Sequence, residues 1–403
     1  ANCIFRVNSK SRQILVFNPQ KKEVFEQDII TKYKKLLLLD IPKEKKAKIY
    51  LTMATFLYLN EKPDLALVEC RAFYNQLPDH DLMSYNLILM AKCYLKLQNY
   101  KKAKRYITQF LNDFPRHKLK TQAFLLLGKC HFQLKDLEKA KRVYHYLLNV
   151  KNATQKAIVQ FRLAQIYQKQ AKYLKASNLY SKVEKQLPSN FQVQALYNKI
   201  VCLVIMGDNI KALATINDFY SRFIKHDLSL KVRILHARIL FKNEKYFMSY
   251  YILKTLLSSK SEEIKYEAAL YSAKSLKKLG LLDKAVTILE KFKNNAKASN
   301  YFTYPLIYEL GTVYQELKRW NLAKANFQEL LGKYSKITYV KILECDYKAR
   351  NYTGCLENFD LFRTQLMGTP FLKNASYLEG QSLLKLGKSE KAREIFEGKW
   401  KAK

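Results

Sequence analysis

The chain is poor in residues that interrupt regular structure: its 403 residues include only 10 glycines and 8 prolines. This scarcity argues against long disordered linkers. Long apolar stretches are also missing. The longest uncharged apolar run, residues 200–206, fits a protein core and falls far short of the about 18 residues that suggest a membrane span. We therefore expect a folded chain that does not itself cross a membrane.

Acidic residues are scarce as well, because 34 Asp and Glu stand against 72 Lys and Arg, for a formal net charge of +38. Such a charge suits nucleic acid or an acidic membrane surface. The alternative is a lysine bias that decorates solvated helix faces. The lysines are spread along the whole chain, and no basic block is interleaved with stacking aromatics. The sequence thus favours solvated faces over a nucleic-acid site.

Catalytic and metal-binding motifs are absent from the sequence. There is no HExxH, no GxSxG, no glycine-rich phosphate loop and no CxxC. The histidines are scattered, at His80, His117, His131, His145, His226 and His236. We therefore expect no enzymatic activity, no metal and no cofactor.

A periodic series of small residues organises the chain. The gaps between them are 36 to 38 residues, apart from one of 32. The series is Ala66, Ala103, Ala140, Ala176, Ala212, Ser249, Ala285, Ala323, Cys355 and Ala392. A fixed period of this size predicts stacked repeats, because each unit must bury its apolar face against the next.

A second landmark lies twelve residues before each member of that series. It comprises Ala54, Ala91, Gly128, Ala164, Ile200, Ala237, Ala273, Gly311, Leu343 and Gly380. Large apolar or aromatic residues follow the first landmark by three positions and the second small residue by four, as Tyr167 and Tyr180 do. These spacings place them on one helical face. Each unit is therefore predicted to be a helix, a tight turn and a second helix.

This pattern of small and aromatic positions resembles the tetratricopeptide repeat over about residues 46–400, with Ala164, Tyr167, Ala176, Tyr180 and Pro188 as one full example. The resemblance implies an all-α, right-handed superhelical solenoid of about ten helix–turn–helix repeats. A weaker resemblance, carried by residues 110–115 and 127–130, is to repeat proteins of the bacterial cell envelope.

Three regions are expected. Residues 1–45 form a non-repeat segment and entry helix, with residues 13–17 extended; residues 46–335 hold the regular repeats; and residues 336–403 hold a degenerate and a terminal repeat. The degenerate unit has Asp346 where an aromatic is expected, which indicates either a slack repeat or a local bend at a contact site.

In the family, the first helix of each repeat lines a concave groove, so the resemblance implies a binding surface made of residues near the first landmark. These are Lys92, Lys96, Lys129, Phe132, Phe161, Arg162, Gln165, Lys169, Asn198, Lys231, Arg238, Phe241, Lys242, Tyr271, Lys274 and Lys278. Basic side chains next to aromatic side chains suit the binding of an acidic or amphipathic protein segment. The alternative is a groove of merely solvated lysines, empty or filled by the chain itself.

The leading functional interpretation is a non-enzymatic scaffold that assembles other proteins, in the bacterial periplasm or envelope or in an envelope-embedded machine. The alternatives are a nucleic-acid-associated helical-repeat protein, a regulatory subunit of an enzyme encoded elsewhere, and a cytoplasmic location. Ala1-Asn2-Cys3 matches the end of a lipoprotein cleavage site, so Cys3 is a candidate for lipidation after leader removal, against an incidental cysteine. A membrane would be a partner only through that anchor.

Overall fold

The computed structural model describes residues 19–149, 152–294 and 301–398. Its regular structure in these ranges is entirely helical, and it divides into two compact units, Ala1–Pro188 (unit 1) and Ser189–Lys403 (unit 2). Cys3 and the predicted extended segment 13–17 lie outside the described residues. The three-region division expected from the sequence stays a prediction.

Unit 1 begins with a single helix, α1 (Pro19–Leu37), and continues with four helix pairs. The pairs are α2 (Lys43–Leu59) with α3 (Pro63–Gln76), α4 (Met83–Lys96) with α5 (Tyr100–Asp113), α6 (Lys120–Gln133) with α7 (Leu137–Tyr146), and α8 (Ala153–Lys169) with α9 (Tyr173–Val183). Short 3₁₀ turns follow α7 and α9, at Leu147–Asn149 and Glu184–Gln186.

Unit 2 contains six further pairs. They are α10 (Ser189–Met206) with α11 (Asn209–Phe223), α12 (Leu228–Lys242) with α13 (Tyr246–Lys254), α14 (Glu262–Lys278) with α15 (Leu282–Asn294), α16 (Tyr304–Glu316) with α17 (Trp320–Glu329), α18 (Ile337–Lys348) with α19 (Tyr352–Leu366), and α20 (Leu372–Lys385) with α21 (Ser389–Phe396). A 3₁₀ turn at Tyr301–Thr303 precedes α16. The all-α repeat architecture with about ten helix–turn–helix units is therefore confirmed.

One residue with positive φ ends the first helix of every pair. The ten are Glu61, Gln98, Lys135, Ala171, Gly207, Glu244, Gly280, Lys318, Arg350 and Gly387. Each lies seven residues after the first landmark. The next amide then bonds back into the helix, as Asn99 N–H does to Tyr94 O at 2.9 Å. This shared left-handed residue turns the chain sharply enough for the second helix to pack on the first.

The two small landmarks lie at the contact between the helices of a pair. The second small residue is fully buried in every pair, from Ala66 to Ala392. Glycine at the first landmark faces an aromatic ring of the second helix, because a Cβ on Gly311 would lie 2.6 Å from Cε1 of Phe327. Gly128 faces Tyr144 in the same way. The ring occupies the space that a side chain would need, which explains why the register alternates small and large residues.

The degenerate unit is a regular pair, α18 with α19, held by a polar cluster in place of the missing aromatic. Asp346 is 2% exposed, and its carboxylate accepts hydrogen bonds from Lys324 Nζ at 2.7 Å and Asn358 Nδ2 at 2.8 Å. Asn351 donates to the same carboxylate at 3.3 Å and also caps α19 through the Gly354 N–H. Because this carboxylate is paired and hydrogen-bonded, it can stay buried.

Candidate protein-binding surface

The first helices of consecutive pairs contact one another and form a layer within each unit. The contacts run α2–α4–α6 in unit 1, and α10–α12–α14–α16 and α18–α20 in unit 2, while second helices contact the first helix of the next pair. The sequence predicted partner binding on the side of this layer that faces away from the second helices. All of the residues predicted for this surface lie on first helices. Their charged neighbours differ between the two units.

In unit 1, three half-buried cations lie on consecutive first helices: Lys92 on α4, Lys129 on α6 and Arg162 on α8. We call them the cation row. Burial lowers the pKa of Lys92, and burial together with the nearby charge of Arg162 lowers the pKa of Lys129. The pKa of Arg162 is also lowered by burial, and its guanidinium donates to Gln165 Oε1 at 2.8 Å.

Two members of the cation row, Lys92 and Lys129, have no acidic partner among the described residues. The helices α4, α6 and α8 contain no Asp or Glu. Within the part of the chain that the structure describes, no carboxylate lies within ion-pair distance of Lys92 or Lys129. Two partly desolvated ammonium groups therefore face this surface, and an incoming anion would relieve their cost.

The other predicted cations of unit 1 have different surroundings. Lys96 forms an ion pair with Glu61 at 2.7 Å, and its Nζ lies 4.5 Å from the centre of the Tyr58 ring. Lys169, at the end of α8, is exposed. Lys96 is thus already engaged by its own chain, and Lys169 is solvated.

One residue of the predicted groove floor proves to be core. Phe161 is fully buried and packs against Tyr180 of α9 with ring centres 5.7 Å apart. It precedes Ala164 by one helical turn and so shares the side that faces the second helix. The prediction that Phe161 contacts a partner is wrong for this reason. Phe132, on α6, is partly buried and packs beside the unit 1 core.

In unit 2, acidic side chains from the next first helix neutralise the predicted cations. Lys231 pairs with Glu263 at 3.2 Å, and Arg238 pairs with Glu267 at 3.4 Å. Burial raises the pKa of Glu267, against the lowering effect of Arg238. These two carboxylates were not among the residues predicted from the sequence. The sequence pattern that could have indicated them is an acid 29 or 32 residues after each cation.

The same pairing continues along unit 2, where Lys277 of α14 contacts Glu309 of α16 at 2.6 Å and Glu316 at 3.7 Å. Tyr271, on the same helix α14, has its ring centre 6.1 Å from that of Phe241 and 5.3 Å from Lys274 Nζ. The remaining predicted residues here are Asn198, which is half-buried, and Lys242 and Lys278, which are exposed. This surface is therefore closer to charge balance than the cation row.

The thiols are packing groups. Cys70, Cys93, Cys130, Cys202, Cys345 and Cys355 are all buried and free. Burial raises the pKa of Cys93 to about 12 and that of Cys130 to about 11. Within the described ranges, no cluster of His, Cys, Asp or Glu could hold a metal ion, and no helix has the length and apolar character needed to cross a bilayer.

Comparison with protein families gives two matches. A tetratricopeptide repeat-like domain matches residues 84–196, and the tetratricopeptide repeat matches residues 267–299 and 306–336. No curated protein has a significantly similar sequence.

Three solved structures are similar in fold. A tetratricopeptide repeat protein from Parabacteroides merdae has a TM-score of 0.47 and 17% identity, covering 64% of this chain and 97% of its own. The Cut9–Hcn1 hetero-tetramer of APC/C has a TM-score of 0.38 and 13% identity, and the match covers 94% of this chain and 84% of that chain. PilW, a type IV pilus biogenesis factor, has a TM-score of 0.46 and 18% identity, covering 58% and 99%.

The repeated helix pairs and their shared landmarks define a helical-repeat protein of the solenoid class. The matched segments identify the repeat in those parts of the chain as the tetratricopeptide repeat. The presence of these repeats supports a role in protein–protein interaction or complex assembly.

Proposed function

We propose that the protein is a non-enzymatic scaffold of a multiprotein complex, and that the cation row of unit 1 binds an acidic segment of a partner protein. The observation that carries the proposal is the combination of partial burial and missing counter-charge at Lys92 and Lys129. A carboxylate docked there gains a charge-assisted hydrogen bond at a partly desolvated site, where such a bond is stronger than in water.

Unit 1 is favoured over unit 2 because binding to unit 2 would have to displace existing ion pairs. An acidic segment approaching Lys231 or Arg238 meets Glu263 and Glu267, which already occupy the cations and repel the ligand. The cation row has no such competitors on its own helices. The location in a bacterial envelope and the lipidation of Cys3 stay predictions from the sequence.

The test compares proteins recovered from nuclease-treated native extract by the wild-type chain and by Lys92→Glu/Lys129→Glu. The matched control is Lys101→Glu/Lys175→Glu, which makes the same charge change at exposed positions on α5 and α9. We expect the first variant to lose its partners and the control to keep them. For a purified partner, affinity should fall by at least about tenfold, because reversal leaves like charges facing each other.

A second variant, Lys92→Gln/Lys129→Gln, distinguishes loss of charge from loss of folding, because glutamine tolerates partial burial without introducing repulsion. Circular dichroism checks that this variant keeps its helicity. The Gln variant should weaken binding less than the Glu variant, with the largest loss at low salt. Equal recovery of every partner by wild type and the Glu variant would refute the proposal. Loss of all partners after nuclease treatment alone would favour the nucleic-acid alternative.

A further inference from the structure

Three of the connections between helix pairs contain a histidine that bonds to the backbone two residues later. In each, the ring Nδ1 accepts a hydrogen bond from the N–H of a leucine at 3.0–3.1 Å. The three are His80 with Leu82, His117 with Leu119, and His226 with Leu228. A ring nitrogen that accepts this bond carries no proton, so each ring is neutral with its proton on Nε2. Protonation of Nδ1 would remove the acceptor and break the bond.

His117 lies between α5 and α6 and holds the start of α6. That helix begins at Lys120 without a side-chain cap of its own, and the ring instead accepts the amide of its N-cap residue, Leu119, at 3.1 Å. The Nε2–H donates to Oγ of Ser84 on α4 at 3.3 Å. Ser84 is buried, and its hydroxyl donates to the Asp81 carbonyl at 3.2 Å. One neutral ring therefore joins the start of α6 to the start of α4.

The groups packed around His117 disfavour its protonation. Tyr85 of α4 meets the ring edge-on with centres 5.2 Å apart, while α5 and its C-cap supply Phe110 at 5.5 Å and Phe114 at 6.4 Å. The nearby charge is that of Lys118, whose Nζ lies 5.5 Å from the Tyr85 ring centre. Burial, and then the charge of Lys118, lowers the pKa of His117. Among the described residues, no carboxylate lies within ion-pair distance of the ring.

The other two histidines have different surroundings. His80 is nearly buried, but its Nε2 lies 3.4 Å from Oε1 of Glu44 on α2. Asp79 and Asp81 flank it in the chain. A protonated His80 would therefore gain an ion pair when it loses its backbone bond. His226 is exposed, so water can solvate its charge. Of the three, His117 alone combines burial with a neighbouring positive charge.

We infer that His117 makes the connection between α5 and α6 sensitive to acid. A protonated Nδ1–H would point at the Leu119 N–H, so the ring turns away and its contact with Ser84 is lost as well. The folded ring binds a proton less readily than the unfolded one. The connection is therefore fully stabilised above the ordinary histidine pKa of about 6.5, and it weakens as the pH falls from there toward the lower pKa of the folded ring. Because α6 carries Lys129, acid would also loosen the cation row.

Native-state hydrogen exchange of the full chain, resolved by peptide and corrected for the intrinsic effect of pH, tests the inference. Between about pH 7.5 and about pH 5, opening at the start of α6 should become at least about threefold more frequent. His117→Asn should remove this dependence, because an asparagine side chain accepts the same amide without titrating. His226→Asn is the matched control: it makes the same substitution at an exposed ring and should leave the dependence of α6 unchanged.

A second variant keeps the ring and changes the charge beside it. Lys118→Glu replaces the ammonium by a carboxylate, so the pKa of His117 should rise and exchange at the start of α6 should depend less on pH. Lys118 is exposed, and its substitution leaves the core intact. Nuclear magnetic resonance of isotope-labelled histidine follows the ring itself, and the signal missing from His117→Asn identifies it.

His131, further along α6, also has a pKa lowered mainly by burial, so the decisive comparison is between wild type and His117→Asn at each pH. Equal pH dependence at the start of α6 in these two chains would overturn the inference. A proton on Nδ1 of His117 at neutral pH would do so too, as would titration of this ring at or above the ordinary histidine pKa. These measurements involve no partner, so their outcome is independent of the proposed function.

Discussion

Adding one methyl group at Gly311 should destabilise the repeat of α16 and α17. A Cβ at this position would lie 2.6 Å from Cε1 and 2.7 Å from Cζ of Phe327, where an ordinary contact needs at least 3.4 Å. The ring would have to retreat by about 0.8 Å. It has no free side to move into, because Phe327 is fully buried and Tyr308 packs against it at 5.6 Å.

Two opposing terms set the size of the effect of Gly311→Ala. Overpacking a rigid core costs about 1–3 kcal/mol. Replacing glycine by alanine inside a helix gains about 1 kcal/mol. We therefore expect a net loss of up to about 2 kcal/mol in the opening free energy of this pair.

Gly380→Ala is the matched control, since its Cβ would also lie 2.6 Å from a phenylalanine ring, that of Phe396. Phe396 is 46% exposed and can turn toward solvent. The overpacking cost is therefore relieved, and the helix gain of about 0.5–1 kcal/mol should remain. The same substitution with the same local clash should thus have opposite signs at the two sites.

The assay is native-state hydrogen exchange resolved by peptide, because a repeat protein opens in parts and a single unfolding free energy does not describe it. Gly311→Ala should speed exchange in α16 and α17, while Gly380→Ala should slow exchange in α20 and α21. Equal shifts of the same sign in both variants would show that burial of the facing ring does not control the cost.

Two further predictions concern ionisable groups. Asp346→Ala should lower the opening free energy of α18 and α19 by about 3–5 kcal/mol, since it leaves the ammonium of Lys324 without its buried partner. Native-state hydrogen exchange in these two helices measures this, and unchanged exchange there would contradict it. Burial raises the pKa of Glu379 to about 7 from 4.5, against the opposing charge of Arg363. The folded state therefore binds a proton more readily than the unfolded state between these values. Stability should fall as pH rises from about 4.5 to 7, and Glu379→Gln should remove that slope.

The architecture was predictable because a helix pair is nearly local in sequence. The small residue on one helix and its counterpart on the next are twelve residues apart, as Gly311 and Ala323 are, and the turn residue Lys318 lies between them. Because the contact between paired helices involves two residues twelve positions apart, it appears in the sequence as a fixed spacing. The spacing occurs ten times, so the repeat can be recognised from the sequence. The count of pairs and the burial of the small positions follow from it.

The candidate site was predictable only in part. The landmark register placed Lys129 and Lys231 correctly on first helices, but it gave them the same expected role. Their surroundings differ because Lys231 meets Glu263 on a neighbouring helix, whereas α8 brings no carboxylate to Lys129. Which charges are paired depends on the rotation and spacing of helices from different repeats, which a one-dimensional period does not specify.

The sequence by itself determined the repeat, its register and its helical class, because the contacts within one helix pair are made by residues that are close along the chain. Tertiary structure decided three other matters: the burial of Phe161, the polar substitute built around Asp346, and the exposure of Phe396 at the end of the last pair. Each depends on what the neighbouring helix supplies or fails to supply. Burial and charge pairing are properties of two packed surfaces, and a sequence pattern describes only one of them at a time.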